Sequence, residues 1–397
     1  MAHQHPKTGR FVYFMLLAPG SRRSYSTPED SFWCCVGSGM ESHAKHADSI
    51  YWRDGGTLYV NLYIPSRLAP GEGGLALDMD TAYPSDGQII LTVTSTPTHA
   101  VDLALRLPGW AQSHALSVNG RCVEPVMDRG YLRLRRRWRS GDRIVLTLPM
   151  NLRVEATPDD PNLVAFFSGP VVLACDLGPA DAPFDRSAPA FIVGDAPIAL
   201  LQPASDAVQT FTAPLAQGGT ARLSPFYSLY DRRSAVYASL FTPARWSQEG
   251  QAFLAAENRR IDLARRTLDT VYLGEQQPEV DHGVVAHRAE IIQINGRSGR
   301  RIAGGGRIDL RLTRRDNTPT ILRLVYWGED IGQRGQVLLD DAPLAEIHLP
   351  EERHDGFRTL DIALPAGPSP AVIAVEARQG DLALYEISTL TPPDEGS

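Results

Sequence analysis

"GGTLYVNLYIPSRL", residues 55–68, decides the fold class. Leu58, Val60, Leu62 and Ile64 alternate with Tyr59, Asn61 and Tyr63. A period of two belongs to a strand with one buried face, because successive side chains leave a pleated backbone on opposite sides. Toward the C-terminus the pattern repeats at short spacing. "GQIILTVTS" (87–95), "VDLALRLPGW" (101–110), "HALSVNGRCVEP" (114–125), "GYLRLRRRW" (130–138) and "DRIVLTLPMNLRVEA" (142–156) read as strands. "PSDG", "LPGW", "SVNG" and "RSGD" supply the Gly, Pro and Asn that tight turns need. Many short strands at this spacing predict an antiparallel β-sandwich.

The apolar stretch "LVAFFSGPVVLACDLG" (163–178), broken by Gly169-Pro170, fits a last strand returning onto an earlier element. Residues 179–210 are rich in Pro, Ala and Asp and read as a long connection, and "PFYSLYDRRSAVYASLF" (225–241) as one or two aromatic strands. "SQEGQAFLAAENRRIDLARRTLDTVYL" (247–273) changes the period: Phe253, Ala256, Ile261, Ala264, Leu268 and Val271 follow helical spacing, with Ser247 as N-cap. β texture then resumes to the end. The fold class is mainly β: two antiparallel sandwiches, at 51–178 and 274–397, joined by the connection and aromatic strands of 179–246 and a linking helix at 247–273.

Working back from residue 55, the texture becomes helical. Met40, Ala44 and Ala47 share a face opposite Glu41, Lys45 and Asp48, which predicts a helix over about 39–48. Just before it stand Cys34 and Cys35, two of only four cysteines. Four cysteines in 397 residues cannot staple a fold, and adjacent ones bridge only with strain. A thiolate is both a nucleophile and a soft zinc ligand, and a helix N-terminus would favour it. Free cysteine is equally a common buried hydrophobe. Spacing leaves both readings open. His43 and His46 are three apart, not the four of a zincin helix. They read as a polar helix face. Ser38 in "VGSGM" lacks the strand and the Gly-x-Ser-x-Gly spacing of a nucleophile elbow.

The formal net charge of −7 speaks against nucleic acid as the main partner. The basic run "RLRRRWR" (133–139) reads as one strand face alternating with Leu132, Leu134 and Trp138. No window of about 18 apolar residues predicts a membrane span. The N-terminus lacks the form of a signal peptide, so the chain as written is expected in the cytoplasm. No phosphate-binding glycine motif occurs, and Gly304-Gly305-Gly306 reads as a loop.

"FWCCVGSGMESHAKHADSIYW" followed by "LYVNLYIPSRL", and then "LALRLPGWA", "SVNG", "GYLRLRRRWRSGDRIVLTLPM" and "LVAFFSGPVVLA", closely resembles glycoside hydrolase family 127, the β-L-arabinofuranosidase type. The resemblance covers about residues 1–178. "YDRRSAVYASLF" and "LGEQQPEVDH" are similar to accessory regions of bacterial members. It implies an (α/α)6 catalytic barrel followed by β-sandwiches, with residues 1–50 as the C-terminal remnant of that barrel. It implies that Cys34 is the nucleophile and a zinc ligand and that Cys35 is a second zinc ligand. A Glu and a Cys completing the Zn2+ shell, and the Glu acid/base, would come from earlier barrel sequence. Cys122 and Cys175 follow the motif and read as core cysteines. A chain that begins so near the end of its catalytic domain is expected to be weakly active or inactive alone. Its longer parent could be periplasmic or secreted. The implied substrate is an arabinofuranosyl-containing oligosaccharide or plant glycan, and sandwich-mediated homodimers occur in such enzymes. With the barrel missing, Phe11, Tyr13, Phe14, Leu16 and Leu17 are expected to be exposed.

Two other readings follow from the residues. The sandwiches could form a non-catalytic carbohydrate-binding or assembly module, with Trp110, Trp138, Tyr326 and Trp327 stacking on sugars, although core positions suit these aromatics better. The cysteine pair by itself would also fit a zinc or redox protein.

Overall fold

The computed structural model describes residues 3–393 except 16, 72, 73, 183 and 195. The chain divides into two compact units, 1–257 and 258–397. It is mainly β, with antiparallel sheets and few helices.

In the first unit the opening stretch "GGTLYVNLYIPSRL" becomes two strands, Thr57–Val60 and Ser66–Leu68, in two different sheets. The first sheet has the order Tyr51–Asp54, Thr57–Val60, Val101–Arg106, Tyr131–Arg136, Val126–Asp128. The second runs Ser66–Leu68, Ala76–Thr81, Gln88–Ser95, Arg143–Thr147, Ala115–Val118, Arg121–Cys122. Their inward residues meet in one core that includes Leu58, Val60, Leu77, Leu91, Leu103, Leu105, Leu132 and Ile144. Thr57–Val60 pairs with Val101–Arg106 in parallel, an exception in a sandwich that is otherwise antiparallel. Asn119 and Gly120 both take positive φ, +53° and +76°, which is the two-residue turn that the right-handed twist of a hairpin favours. The basic run behaves as a strand face: Leu132 is buried, and Arg133 is held by Asp102 and by Asp128 at 2.6 Å.

Residues 163–178 do return onto an earlier strand, Leu152–Ala156, but in a sheet apart from the two above. They form two strands, Leu163–Ser168 and Val171–Pro179, folded on each other through a turn at Gly169, which has φ +54°. Both belong to a nine-stranded sheet that also takes in Leu152–Ala156, Thr220–Pro225, Arg232–Ala235 and Tyr237–Phe241. The aromatic segment therefore supplies two strands, and the stretch read as a connection contributes Ala190–Ile192 and Gln202–Pro203.

Helix α1 spans Cys34–Lys45, α2 spans Pro243–Arg266 and α3 spans Gln276–Asp281. The linking helix starts earlier than Ser247. Pro243 is at its first position, where its missing N–H costs nothing, and the Thr242 hydroxyl accepts the Arg245 N–H at 3.2 Å. It also ends earlier. Thr267–Tyr272 is a strand paired with Glu386–Leu390, so Leu268 and Val271 serve a sheet although their spacing continues the helix.

The second unit is a sandwich. Its four-stranded sheet runs Thr267–Tyr272, Glu386–Leu390, Thr320–Trp327, Phe357–Leu364. The facing sheet is led by Val285–Ile294 and the 16-residue strand Arg297–Leu312. Between them lies a core that includes Val271, Leu310, Leu324, Val375 and Ile387. Gly304–Gly306 lies inside the long strand rather than in a loop, where backbone oxygens of His287 and Arg288 crowd the place of a Gly306 Cβ.

Candidate functional site

The N-terminal segment is tied down by a few specific bonds. Lys7 and Thr8 both donate backbone N–H groups to His5 Nδ1 at 3.2 Å, which leaves Nε2 to carry the ring proton and donate to Asp231 Oδ2 at 3.1 Å. His5 is buried, and Tyr25 and Tyr230 pack on its ring. Phe11 is buried as well, against the expectation of exposure. Its N–H donates to Ser26 Oγ, and its ring lies where a Cβ on Gly39 would be, 2.2 Å from that position. Gly39 is therefore the contact that lets this segment lie close to α1. Phe14 and Leu17 are exposed as expected, Tyr13 is half-buried, and Leu16 lies outside the described residues.

α1 begins five residues earlier than its apolar pattern predicts. Gly37 and Gly39 look like breakers in sequence, yet the helix runs through both. Cys34 and Cys35 are consequently its first two residues rather than a loop ahead of it. α1 buries no residue at all; Met40 is exposed and Phe32, just before it, is 95% exposed.

The two sulfurs are 3.8 Å apart and unbridged. Cys34 is exposed and Cys35 half-buried. Burial, and next the neighbouring Cys34 thiol, push the Cys35 thiol up. The helix N-terminus does not reverse this for Cys35. The pair borders a hollow of about 390 Å³ that is also lined by Gln4, Tyr13, Ser38 and His43. Gln4 Nε2 donates to Gly9 O at 3.2 Å, which turns its Oε1 toward His43. His43 Nε2 therefore donates to that oxygen, at 2.8 Å. Sequence reading missed Gln4 and Tyr13 as neighbours of the thiols, because no periodicity links residues 3–13 to α1, and missed Ser38 and Ser42, four and eight residues after Cys34, because the apolar pattern starts the helix too late.

For zinc the fit is partial. Bonds of about 2.3 Å at a tetrahedral angle place two thiolates about 3.8 Å apart, which is the spacing of this pair. Among the described residues, however, no group of three or more His, Cys, Asp or Glu side chains is placed to hold a metal ion. His43 and His46 lie edge to face, 5.2 Å apart, and do not join the sulfurs in such a group. Cys34 and Cys35 can furnish two corners of a site, and the other two are not among these residues.

The other cysteines split. Cys175 is buried in the nine-stranded sheet, where burial pushes its thiol up to about 12. Cys122 is exposed, contrary to a core position, because its strand has only two residues and forms the sheet edge. The aromatics considered for sugar stacking are core: Trp138, Tyr326 and Trp327 are buried, Trp138 Nε1 donates to Val101 O at 3.1 Å, and Trp110 packs on the sandwich core. Among the described residues no helix is long and apolar enough to cross a membrane.

Comparison with known proteins agrees with this layout. Residues 1–48, which hold the thiol pair, match the family described as beta-L-arabinofuranosidase, GH127 catalytic domain. Residues 57–150, the first sandwich, match the GH127 middle domain. Residues 262–388 match a family of unknown function, DUF6805. No curated protein matches the chain. Among solved structures, a GH127 beta-arabinofuranosidase is 20% identical with a TM-score of 0.48 and covers 60% of this chain and 43% of its own. A glycoside hydrolase is 21% identical, with a TM-score of 0.49, covering 60% and 46%. Ara127N-Se, a GH127 beta-L-arabinofuranosidase from Geobacillus stearothermophilus T6, is 23% identical, with a TM-score of 0.41, covering 52% and 37%. The chain spans less than half the length of each. Over residues 1–48 and 57–150 the chain is similar to glycoside hydrolase family 127.

Proposed function

We propose that this chain carries the nucleophile half of a retaining β-L-arabinofuranosidase-type active site. In this reading Cys34 is the nucleophile and a Zn2+ ligand, and Cys35 is the second ligand. The single observation that supports it best is the sulfur spacing of 3.8 Å beside a hollow of about 390 Å³, within the residues that match the catalytic domain. When bound, zinc would supply the positive charge that keeps both thiols deprotonated near neutral pH.

The chain's own residues then have definite tasks. Cys34, the more exposed of the two, attacks the anomeric carbon of an L-arabinofuranoside. The C–O bond to the leaving group breaks as a C–S bond to Cys34 Sγ forms, and a carboxylic acid from outside these residues protonates the departing oxygen. Water then displaces the thiolate from the anomeric carbon, giving net retention. His43, fixed by Gln4, and Tyr13 line the hollow in which the sugar ring would sit. The substrate is an arabinofuranosyl-containing oligosaccharide or plant glycan. The two sandwiches offer the surfaces for a homodimer.

Since no third ligand gathers among the described residues, the 397-residue chain should bind zinc weakly and turn over little or no substrate by itself. Metal analysis and arabinofuranoside hydrolysis test this together. Efficient hydrolysis by the isolated chain, lost in Cys34→Ser, would show that the site is complete here. Hydrolysis unaffected by that substitution would remove Cys34 from the mechanism.

A further inference from the structure

The residue that follows α3, His282, holds its imidazole between two oxygens. Nδ1 lies 2.6 Å from Pro278 O, and Nε2 lies 3.1 Å from Asp269 Oδ1. A peptide carbonyl has no proton to give. The Asp269 carboxylate has none either: Oδ1 also accepts the Thr270 N–H at 2.9 Å, and Oδ2 accepts the Thr313 N–H at 2.6 Å. Both ring nitrogens must therefore donate, and only the imidazolium donates twice. We propose that His282 is a proton-dependent clasp, which as a cation ties the end of α3 to the strand Thr267–Tyr272 and, through Asp269, to the turn at Thr313, and which lets go when it loses its proton.

The charges around the ring favour the closed form. Asp269 faces it from Thr267–Tyr272, and Asp281 precedes it on α3. The strand Arg297–Leu312 meets it through a backbone bond, Arg311 N–H to His282 O at 2.9 Å, with the Arg311 side chain exposed. Arg314, just past Thr313, is committed to the carbonyls of Pro365 and Pro368. The nearest side-chain charges are thus the two carboxylates. The hydrogen bond to Asp269 is the main cause holding His282 above the ordinary histidine value of 6.5. Burial alone would push the Asp269 carboxyl up, but the bonds from His282 and Thr313 overcome it and hold the group at about 2.

The signs give a window. A raised histidine contributes stability that is fully present below 6.5 and is lost as pH rises through its folded value. A depressed carboxylate contributes stability present above 3.8 and lost as pH falls toward about 2. The clasp is fully closed between 3.8 and 6.5 and opens on the alkaline side. A neutral imidazole keeps one N–H and must give up either Pro278 O or Asp269. α3 would remain held through Glu279, which accepts from Arg300 at 2.6 and 2.7 Å and from Gly274 N–H at 2.7 Å. Opening is therefore local: it frees the end of α3 beyond Glu279, beside a hollow of about 300 Å³ lined by Glu279, Val280, Ile291 and Arg300.

Ring-nitrogen NMR of the full chain tests this directly, followed from about pH 5 to about pH 9 around the ordinary histidine range. The expected result is a His282 ring still protonated on both nitrogens above pH 6.5, with exchange of the Thr313 amide accelerating beyond the intrinsic base dependence as the ring titrates. In His282→Gln, which cannot titrate, that excess acceleration should vanish. The stability gap to the unsubstituted chain should then narrow by up to about tenfold in unfolding constant for each pH unit through the transition. A ring carrying one proton below pH 6.5, or a gap that stays flat with pH, would overturn the proposal. If His282→Gln fails to fold, the ring titration of the unsubstituted chain still decides.

Discussion

α1 and the segment from α3 to Thr313 are built from similar material, short helices carrying titratable groups, and they treat those groups in opposite ways. Around α3 the part-buried groups close on partners: Glu279 on Arg300 and Gly274, His282 on Asp269 and Pro278, Asp269 on Thr270 and Thr313. On α1 the thiols meet only each other, no side chain is buried, and a hollow stands beside them. A satisfied cluster holds a fold together, because each buried polar group left without a partner costs about 1–3 kcal/mol. An unsatisfied and accessible pair stabilises little and stays available for chemistry. The contrast gives one helix a structural task and leaves the thiols of the other accessible.

Breaking each side in turn should show the largest difference. Arg300→Met strips the partner from a buried carboxylate, with side-chain exposures of 15% for Arg300 and 10% for Glu279. It should cost the second unit about 3 kcal/mol, as loss of one partner from a buried ion pair does. Cys34→Ser and Cys35→Ser should each lie within about 0.5 kcal/mol of the parent, as surface substitutions do. Denaturant midpoints measure both. The Arg300 effect also has a pH signature. Burial would raise the Glu279 carboxyl, but the Arg300 hydrogen bonds overcome it and hold the group below 4.5. The stability it contributes is present above 4.5 and falls away as pH drops, and Arg300→Met should flatten that dependence. Equal costs on both helices would dissolve the comparison.

Gly39→Ala is the next test, since it probes the close packing of Phe11 on α1. The added Cβ would overlap the Phe11 ring, and overpacking of this kind costs about 1–3 kcal/mol. The Phe11 ring is a movable side chain held at the protein edge, so the loss should appear locally. Faster hydrogen exchange at the Phe11 and Ser26 amides is expected, with the two sandwich cores unchanged. Global destabilisation of the first unit would mean that α1 supports the fold more than its lack of buried residues suggests.

The sandwiches were legible in sequence because a period of two survives wherever one strand face is buried: Leu58 and Val60, or Leu103 and Leu105, mark the core by alternation alone. Pairing partners were not. Nothing in residues 163–178 says that they join Ser234 and Ala238 rather than the preceding sheet, since long-range pairing is decided by packing across the chain. Period also misled at Leu268 and Val271, where helical spacing runs on into a strand fixed by its partner Glu386–Leu390. At the candidate site the cysteines stand out as a rare adjacent pair. Gln4 and Tyr13 do not, because they reach the thiols through a fold-back set by His5, a residue with no local pattern.

The finest distinction lies within the thiol pair. Cys34 is exposed, whereas Cys35 is half-buried with its thiol pushed up, so iodoacetamide should modify Cys34 first and Cys35 more slowly, by roughly two- to tenfold. Mass spectrometry of partly modified chain reads the order. Cys122 should react alongside Cys34, and Cys175 only when the sheet opens, being buried with its thiol at about 12. Zinc should slow Cys34 and Cys35 together and leave Cys122 untouched, because a metal held between sulfurs 3.8 Å apart occupies both lone pairs. Protection of one thiol alone would show that the two do not share a metal, and the open side of the comparison would then reduce to a single exposed nucleophile.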